Sequence, residues 1–440
     1  MCFKEMNIDV DGMLDTLSAC VGIASVKGEP EKGKPYGREI SDALGLMLET
    51  GRKMGFRTEN IDGHAGYIEY GSGEKMVAVL GQIDVVPAGD GWDSDPFKLV
   101  SKDGKLTGRG VLDDKGPMTA ALYALKAVKE SGISLKHRIR IIIGTDEESG
   151  SKDMVRYKET EEMPEYAFTP DAMFPVVNSE KGMVVFSIGR KLAASGQGKL
   201  TEASGGLVTN QVPDKAHMSV ITGSETLEFR STEGRAAHGS TPEAGVNAID
   251  SLIKNVCDSE NYGKLPEDLR TFTDFYAKYM AGDTRGVKFG ADCSDAKLGD
   301  ATFNAGVLEG DEDNIKVKVD YRYPANKDCM PYLEKIEKIC RDEGMEFELL
   351  RHKHGLYFPE DHELVKTLMD VYAEETGSRI PPASMGGGTY AKSLPNTVAF
   401  GPIFPGHEDT MHQANEYITL DDLEANCRIY AKAMVKLANL

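Results

Sequence analysis

Two adjacent glutamates at the end of an apolar run, Glu147 and Glu148 in Gly144-Thr145-Asp146-Glu147-Glu148-Ser149-Gly150, are placed to divide a hydrolytic task. Neighbouring side chains after a buried strand point in different directions, so one can bind a metal while the other acts on a metal-bound water. Three further polar runs share this setting: Gly81-Gln82-Ile83-Asp84-Val85-Val86-Pro87, Gly108 to Gly116 with Asp113-Asp114-Lys115, and Thr169-Pro170-Asp171. Each follows a predicted strand or opens a helix. Ligand sites of open α/β sheets lie at the carboxyl ends of strands, so the four runs can converge. Carboxylates gathered in one crevice repel unless a cation neutralises them, which points to a divalent metal. Any one Gly-rich acidic run is an ordinary turn; order and position along the chain give the set its weight.

The elements that must carry these runs are legible from periodicity. Lys75–Gly81 and Ile139–Gly144 are short, nearly continuous apolar runs, as in strands covered on both faces, with an apolar helical stretch, Met118–Val128, between them. Before them, two helical patterns between Val10 and Arg52 flank a Gly/Pro-rich loop. After Gly182 the texture changes to alternating segments such as Val184-Val185-Phe186-Ser187-Ile188 and Val317-Lys318-Val319-Asp320-Tyr321. The α/β texture resumes after His352, with a helix at Glu363–Glu375, a strand at Thr397–Phe400 and a closing helix at Leu420–Leu437. The expectation is an α/β domain made of residues 1–181 and 354–440, with an α+β domain, 182–353, inserted into it.

Composition limits the partners. With 51 basic and 71 acidic residues the formal charge is −20, a field that repels nucleic-acid phosphates. No apolar run approaches bilayer-spanning length, so no membrane partner is expected. The charged start, Met1-Cys2-Phe3-Lys4-Glu5-Met6, does not read as a secretory signal, and the expected compartment is the cytoplasm. Seven scattered cysteines without CxxC spacing read as reduced thiols.

Taken together, Asp84 to Trp92, Leu112 to Pro117, Gly144 to Gly150, Pro170 to Pro175 and Met411 to Glu416 resemble the dinuclear zinc metallopeptidases. That family includes aminoacylase, carboxypeptidase G and succinyl-diaminopimelate desuccinylase, and the resemblance is nearest to its dipeptidase V branch. It implies a zinc-peptidase-like catalytic domain with a mixed central sheet and an inserted α+β lid. It also implies that Asp113 bridges two zinc ions through a cis peptide to Asp114, that Glu148 and His412 complete one site, and that Asp171 belongs to the other. Glu147 would be the general base, and Asp84 would orient the residue two positions before it.

At that earlier position the family has histidine and this chain has Gln82. The expectation is that the amide NH₂ donates to Asp84 while its oxygen faces the metal. The resulting oxygen-rich site would be weak, manganese-preferring or empty. In the insert, Ala237-His238-Gly239-Ser240 resembles the lid segment whose histidine binds the oxyanion. Asn210 resembles a lid residue near substrate, Arg322 the arginine that holds the substrate carboxylate, and Gly388 part of a Gly-rich run approaching substrate. A lid this long resembles the branch that supplies its histidine within one chain, so monomer and homodimer both stay open. The function implied is a metal-dependent dipeptidase acting on small peptides with a free carboxylate. The alternatives are an N-acyl-amino-acid deacylase, or a binding protein impaired by Gln82.

Overall fold

The structure, a computed structural model, describes residues 6–193 and 198–440. The first apolar run forms the strand Met76–Gln82, buried along its whole length. Arg138–Gly144 and Tyr166–Thr169 lie parallel on either side of it, and Thr397–Ala399 extends the parallel set. Ala65–Tyr70 and Arg57–Ile61 add antiparallel strands beyond Arg138–Gly144, and Val177–Glu180 pairs antiparallel with Thr397–Ala399. The central sheet is therefore mixed, as expected.

Period-two alternation explains why its strands read as continuous apolar runs. Val77, Val79, Ile139, Ile141 and Ile143 face the larger core, with side chains of the helices Lys115–Ser131 and Leu420–Leu437. Ala78, Leu80 and Ile142 face a smaller core, with Met154 and Tyr157 of the helix Lys152–Thr160. The expected helix at Met118–Val128 begins earlier, at Lys115, and ends where Gly132 turns left-handed at φ 65°. Parallel pairing of Gln82 with Gly144 brings two strand ends side by side, so the loops that follow each strand start together.

The chain divides into two compact units, one of residues 1–178, 358–383 and 388–440, the other of residues 179–357 and 384–387. The second is built on a seven-stranded antiparallel sheet. Its order is Glu225–Arg230, Ala216–Thr222, Lys199–Gly205, Thr302–Gly310, Asn314–Tyr323, Gly182–Lys191 and Glu346–Lys353. Burial alternates along Ala216–Thr222, and the buried side packs with the helices Ala248–Cys257, Glu267–Tyr279 and Met330–Asp342. The short segment Ser384–Gly387, which the sequence pattern left with the first unit, packs with the second. Among the described residues no helix is long and apolar enough to cross a membrane.

Candidate metal centre

Three residues from distant parts of the first unit meet at the strand ends. Asp113 precedes the helix Lys115–Ser131, joined to Asp114 by a cis peptide; Glu148 follows the strand Arg138–Gly144; His412 comes from the loop before Tyr417–Thr419. One ligand atom from each lies within 4.8 Å of the others. His412 Nε2 stands 2.9 Å from Asp113 Oδ2 and 3.2 Å from Glu148 Oε2. His412 holds a left-handed φ of 62°, a conformation that costs a non-glycine residue about 1–2 kcal/mol. Two bonds of the next residue pin that turn: the Gln413 N–H donates to the Thr410 carbonyl and its side-chain amide to the Asp409 carbonyl.

Electrostatically the cluster calls for a cation. Burial raises the Glu148 carboxyl above its usual range, and the Asp113 charge adds to the shift. Asp171 is driven well up, first by burial and then by Asp113, Glu147, Asp114 and Glu148. Asp84 and Asp114 are likewise raised, chiefly by burial. His412 is pushed up to about 11 by its hydrogen bonds to Asp113 and then Glu148. Glu148 Oε1 is buried without a hydrogen-bond partner, as a ligand atom awaiting a metal would be. Two carboxylates and an imidazole fit a divalent ion.

The backbone around these ligands is held by other buried carboxylates. Asp84 accepts the N–H groups of Glu147 and Glu148 at 3.3 and 3.2 Å. Asp153 accepts those of Thr145 and Asp146 at 2.6 and 3.1 Å, and the Tyr390 hydroxyl donates to the same oxygen. All four amides from 145 to 148 are therefore captured by two acids. Glu416 does the same for the Asp113 loop. Its carboxylate accepts the N–H groups of Gly110, Leu112 and Asp113 and pairs with Arg109 at 2.6 Å, both side chains being buried. Arg109 lies over the Trp92 ring and also donates to the Ala88 carbonyl.

Gln82 and Asp84 do not pair as the sequence implied. The Gln82 Nε2 donates to Asp113 Oδ1 at 2.9 Å, and its Oε1 is buried with no partner. The reason is local: Asp84 already answers two backbone donors, and Asp113 presents the acceptor within reach of the amide. Asp171 is partly buried and feels the Asp113 charge, but it is not one of the three clustered ligands.

In the second unit, the Ser240 N–H donates to His238 Nδ1 at 3.3 Å, and the Ser240 hydroxyl sits 2.6 Å from the same nitrogen. A backbone N–H pointing at Nδ1 leaves the ring proton of a neutral His238 on Nε2. Asn210 accepts the Gly239 N–H through its carbonyl at 2.7 Å, which places it beside His238 in the chain fold. Arg322 is buried and already engaged. Its Nε and Nη2 form a two-point bond to Asp320 at 3.1 and 3.0 Å, and Nη1 donates to the Gly386 carbonyl at 2.7 Å. The close approach in the glycine run is at Gly386, where a Cβ would stand 2.7 Å from that of Ser240. At Gly388 a Cβ would meet only the movable end of Lys392.

Sequence reasoning missed Asp153, Tyr390, Arg109 and Glu416 as supports. Each lay in or beside a run already singled out, but Asp153 and Glu416 act on backbone amides, which carry no residue-type signal, and Tyr390 and Arg109 act on those two carboxylates from far away in sequence.

Residues 78–436 match the pattern of Peptidase family M20/M25/M40. The chain belongs to this family. A Bacillus subtilis (strain 168) protein named "Putative dipeptidase YtjP" is 39% identical over 437 residues, 92% of each chain. A Staphylococcus epidermidis (strain ATCC 12228 / FDA PCI 1200) protein named "Putative dipeptidase" is 36% identical over 99% of each. Among solved structures, human carnosine dipeptidase 1 matches with a TM-score of 0.60 at 17% identity, covering 100% of this chain and 98% of that one. Aminopeptidase PepT from Bacillus cereus ATCC 10987 matches at 0.62 and 16%, covering 98% and 99%. At those identities the structures attest the fold. This M20-family chain is a hydrolytic peptidase with a potential metal-ligand cluster at Asp113, Glu148 and His412.

Proposed function

We propose that this enzyme is a metal-dependent dipeptidase that cleaves the amide bond of short peptides with a free carboxylate. The observation that carries the reading is the meeting of Asp113, Glu148 and His412 immediately beside Glu147, in a chain whose relatives are named as dipeptidases. Asp113, Glu148 and His412 would hold a divalent cation, zinc or manganese, which would supply a Lewis acid and a water of lowered pKa.

Glu147 is the general base. Its amide is fixed by Asp84, its side chain is partly exposed, and its neighbour Glu148 is committed to the cluster. It takes the proton from the attacking water and returns it to the leaving amine. His238, with its proton on Nε2, is the donor to the developing oxyanion. Arg322 keeps one N–H on each of Nη1 and Nη2 beyond the three bonds it makes, and these are what it offers a substrate carboxylate. Asn210 and Gly388 are the further residues that this reading assigns to substrate binding.

A panel of dipeptides and N-acyl amino acids, assayed on chelator-treated protein with and without added Zn²⁺ or Mn²⁺, tests it. Metal-dependent turnover confined to dipeptides is expected. Turnover confined to N-acyl amino acids would make the enzyme a deacylase. Metal binding without turnover of either class would leave a binding protein.

A further inference from the structure

The two oxygens of Asp113 face different surroundings. Oδ2 belongs to the three-residue cluster, 2.9 Å from His412 Nε2. Oδ1 accepts the Gln82 amide N–H, also at 2.9 Å. A carboxylate that bridges two cations presents one oxygen to each, and here the second oxygen already faces a neutral N–H donor that stands where the other ion's ligand would be. Gln82 is held firmly in that pose. It ends a fully buried strand, its own N–H donates to Asp114 Oδ2 at 3.2 Å, and only 1% of its surface is exposed. The Asp113 backbone is equally fixed, since Glu416 accepts its N–H.

We infer that this enzyme takes one divalent cation per chain, at Asp113 Oδ2, Glu148 and His412, and that the Gln82 amide N–H holds the side of Asp113 a second cation would need. The inference rests on the metal-hydrolase reading above and deepens it. A second ion would have to turn the amide so that Oε1 faced Asp113 Oδ1, acceptor against acceptor at 2.9 Å, before any metal bond compensated. It would then gain a neutral oxygen where an imidazole or carboxylate would bind more strongly, and share Asp113 with the first ion. The orphaned Gln82 Oε1 does not rescue that site, because it lies on the opposite branch of the same amide from the nitrogen bonded to Asp113. With one ion, Asp113 acts as a terminal ligand whose second oxygen is neutralised by hydrogen bonding.

The test is stoichiometry. Chelator-stripped enzyme is titrated calorimetrically with Mn²⁺ and with Zn²⁺, bound metal is counted by elemental analysis, and the Mn²⁺ form is examined by electron paramagnetic resonance. Wild type should bind one equivalent, with any second at least tenfold weaker, and give the signal of an isolated Mn²⁺. Gln82→His and the isosteric Gln82→Glu each replace the amide by a stronger metal ligand; each should bind two equivalents and show a coupled Mn²⁺ pair. Two wild-type equivalents within tenfold of each other overturn the inference. So does a variant that circular dichroism shows to be folded but that still takes one ion. Lack of turnover by a one-metal protein would count against the dipeptidase reading and leave the stoichiometry standing, so the two failures are distinguishable.

Discussion

Asp84 positions Glu148 through the backbone: its Oδ2 accepts the Glu148 N–H at 3.2 Å, while Oδ1 takes that of Glu147 at 3.3 Å. One buried carboxylate thus fixes the backbone of both the proposed base and a candidate metal ligand.

Asp84→Asn keeps the volume but turns one acceptor into a donor facing a backbone N–H. Metal affinity should fall about 10- to 100-fold, the usual cost of losing a group that orients a ligand. Calorimetric titration with Mn²⁺ reads the effect, and an unchanged affinity would show that the 147–148 backbone holds its place without Asp84.

Arg109 and Glu416 form an ion pair with 1% and 0% side-chain exposure, so removing one partner leaves the other charge buried. Arg109→Met should lower unfolding free energy by about 3–5 kcal/mol. Urea denaturation of metal-free protein checks this; a loss below about 1 kcal/mol would mean that the three backbone donors to Glu416 suffice alone.

Tyr390 and Asp153 should give a pH-dependent signature. Burial raises the Asp153 carboxyl from 3.8 to about 6, while the Tyr390 hydrogen bond pulls it back down. The folded state therefore holds this proton more tightly than the unfolded chain, and the stability it contributes, complete below 3.8, is lost as pH rises through about 6. Tyr390→Phe removes the donor that favours the carboxylate, so the Asp153 pKa climbs further. The deficit of the variant relative to wild type should then be smaller at pH 4 than at pH 8, growing through the region around 6. Thermal denaturation of both proteins across that range measures it, and a deficit independent of pH would sever Tyr390 from the Asp153 charge.

His238→Ala should lower kcat by roughly 10²- to 10³-fold, the effect of deleting one oxyanion donor. Steady-state kinetics on a cleaved dipeptide measure it. An unaltered kcat would take His238 out of the reaction.

The sheet was legible because its strands are buried on both faces, and Val77 to Leu80 and Ile139 to Ile143 contain no polar residue except Arg140, which is itself buried against Glu69 and Tyr157. The candidate ligands Asp113 and Glu148 stood in acidic runs after a strand and before a helix, whereas His412 entered only through the resemblance of Met411 to Glu416 to the family; the fold brings the three together. What holds them was not legible. Asp153 reads as an ordinary acid in the first turn of a helix, and its bonds to Thr145 and Asp146 use backbone amides that every sequence possesses. The pairing of Gln82 escaped for a related reason. Residue type states what an amide can donate, but whether Asp84 or Asp113 receives it depends on competing donors that only the folded loop reveals.

The division of labour between Glu147 and Glu148 is the centre of the account, and one variant tests it. Glu147→Gln keeps the shape of the side chain and removes its basicity. Bound metal per chain, counted on the purified variant, should match wild type while dipeptide turnover is abolished. Loss of the metal would make Glu147 a ligand, and retained turnover would show that another group takes the proton; either result contradicts the assignment.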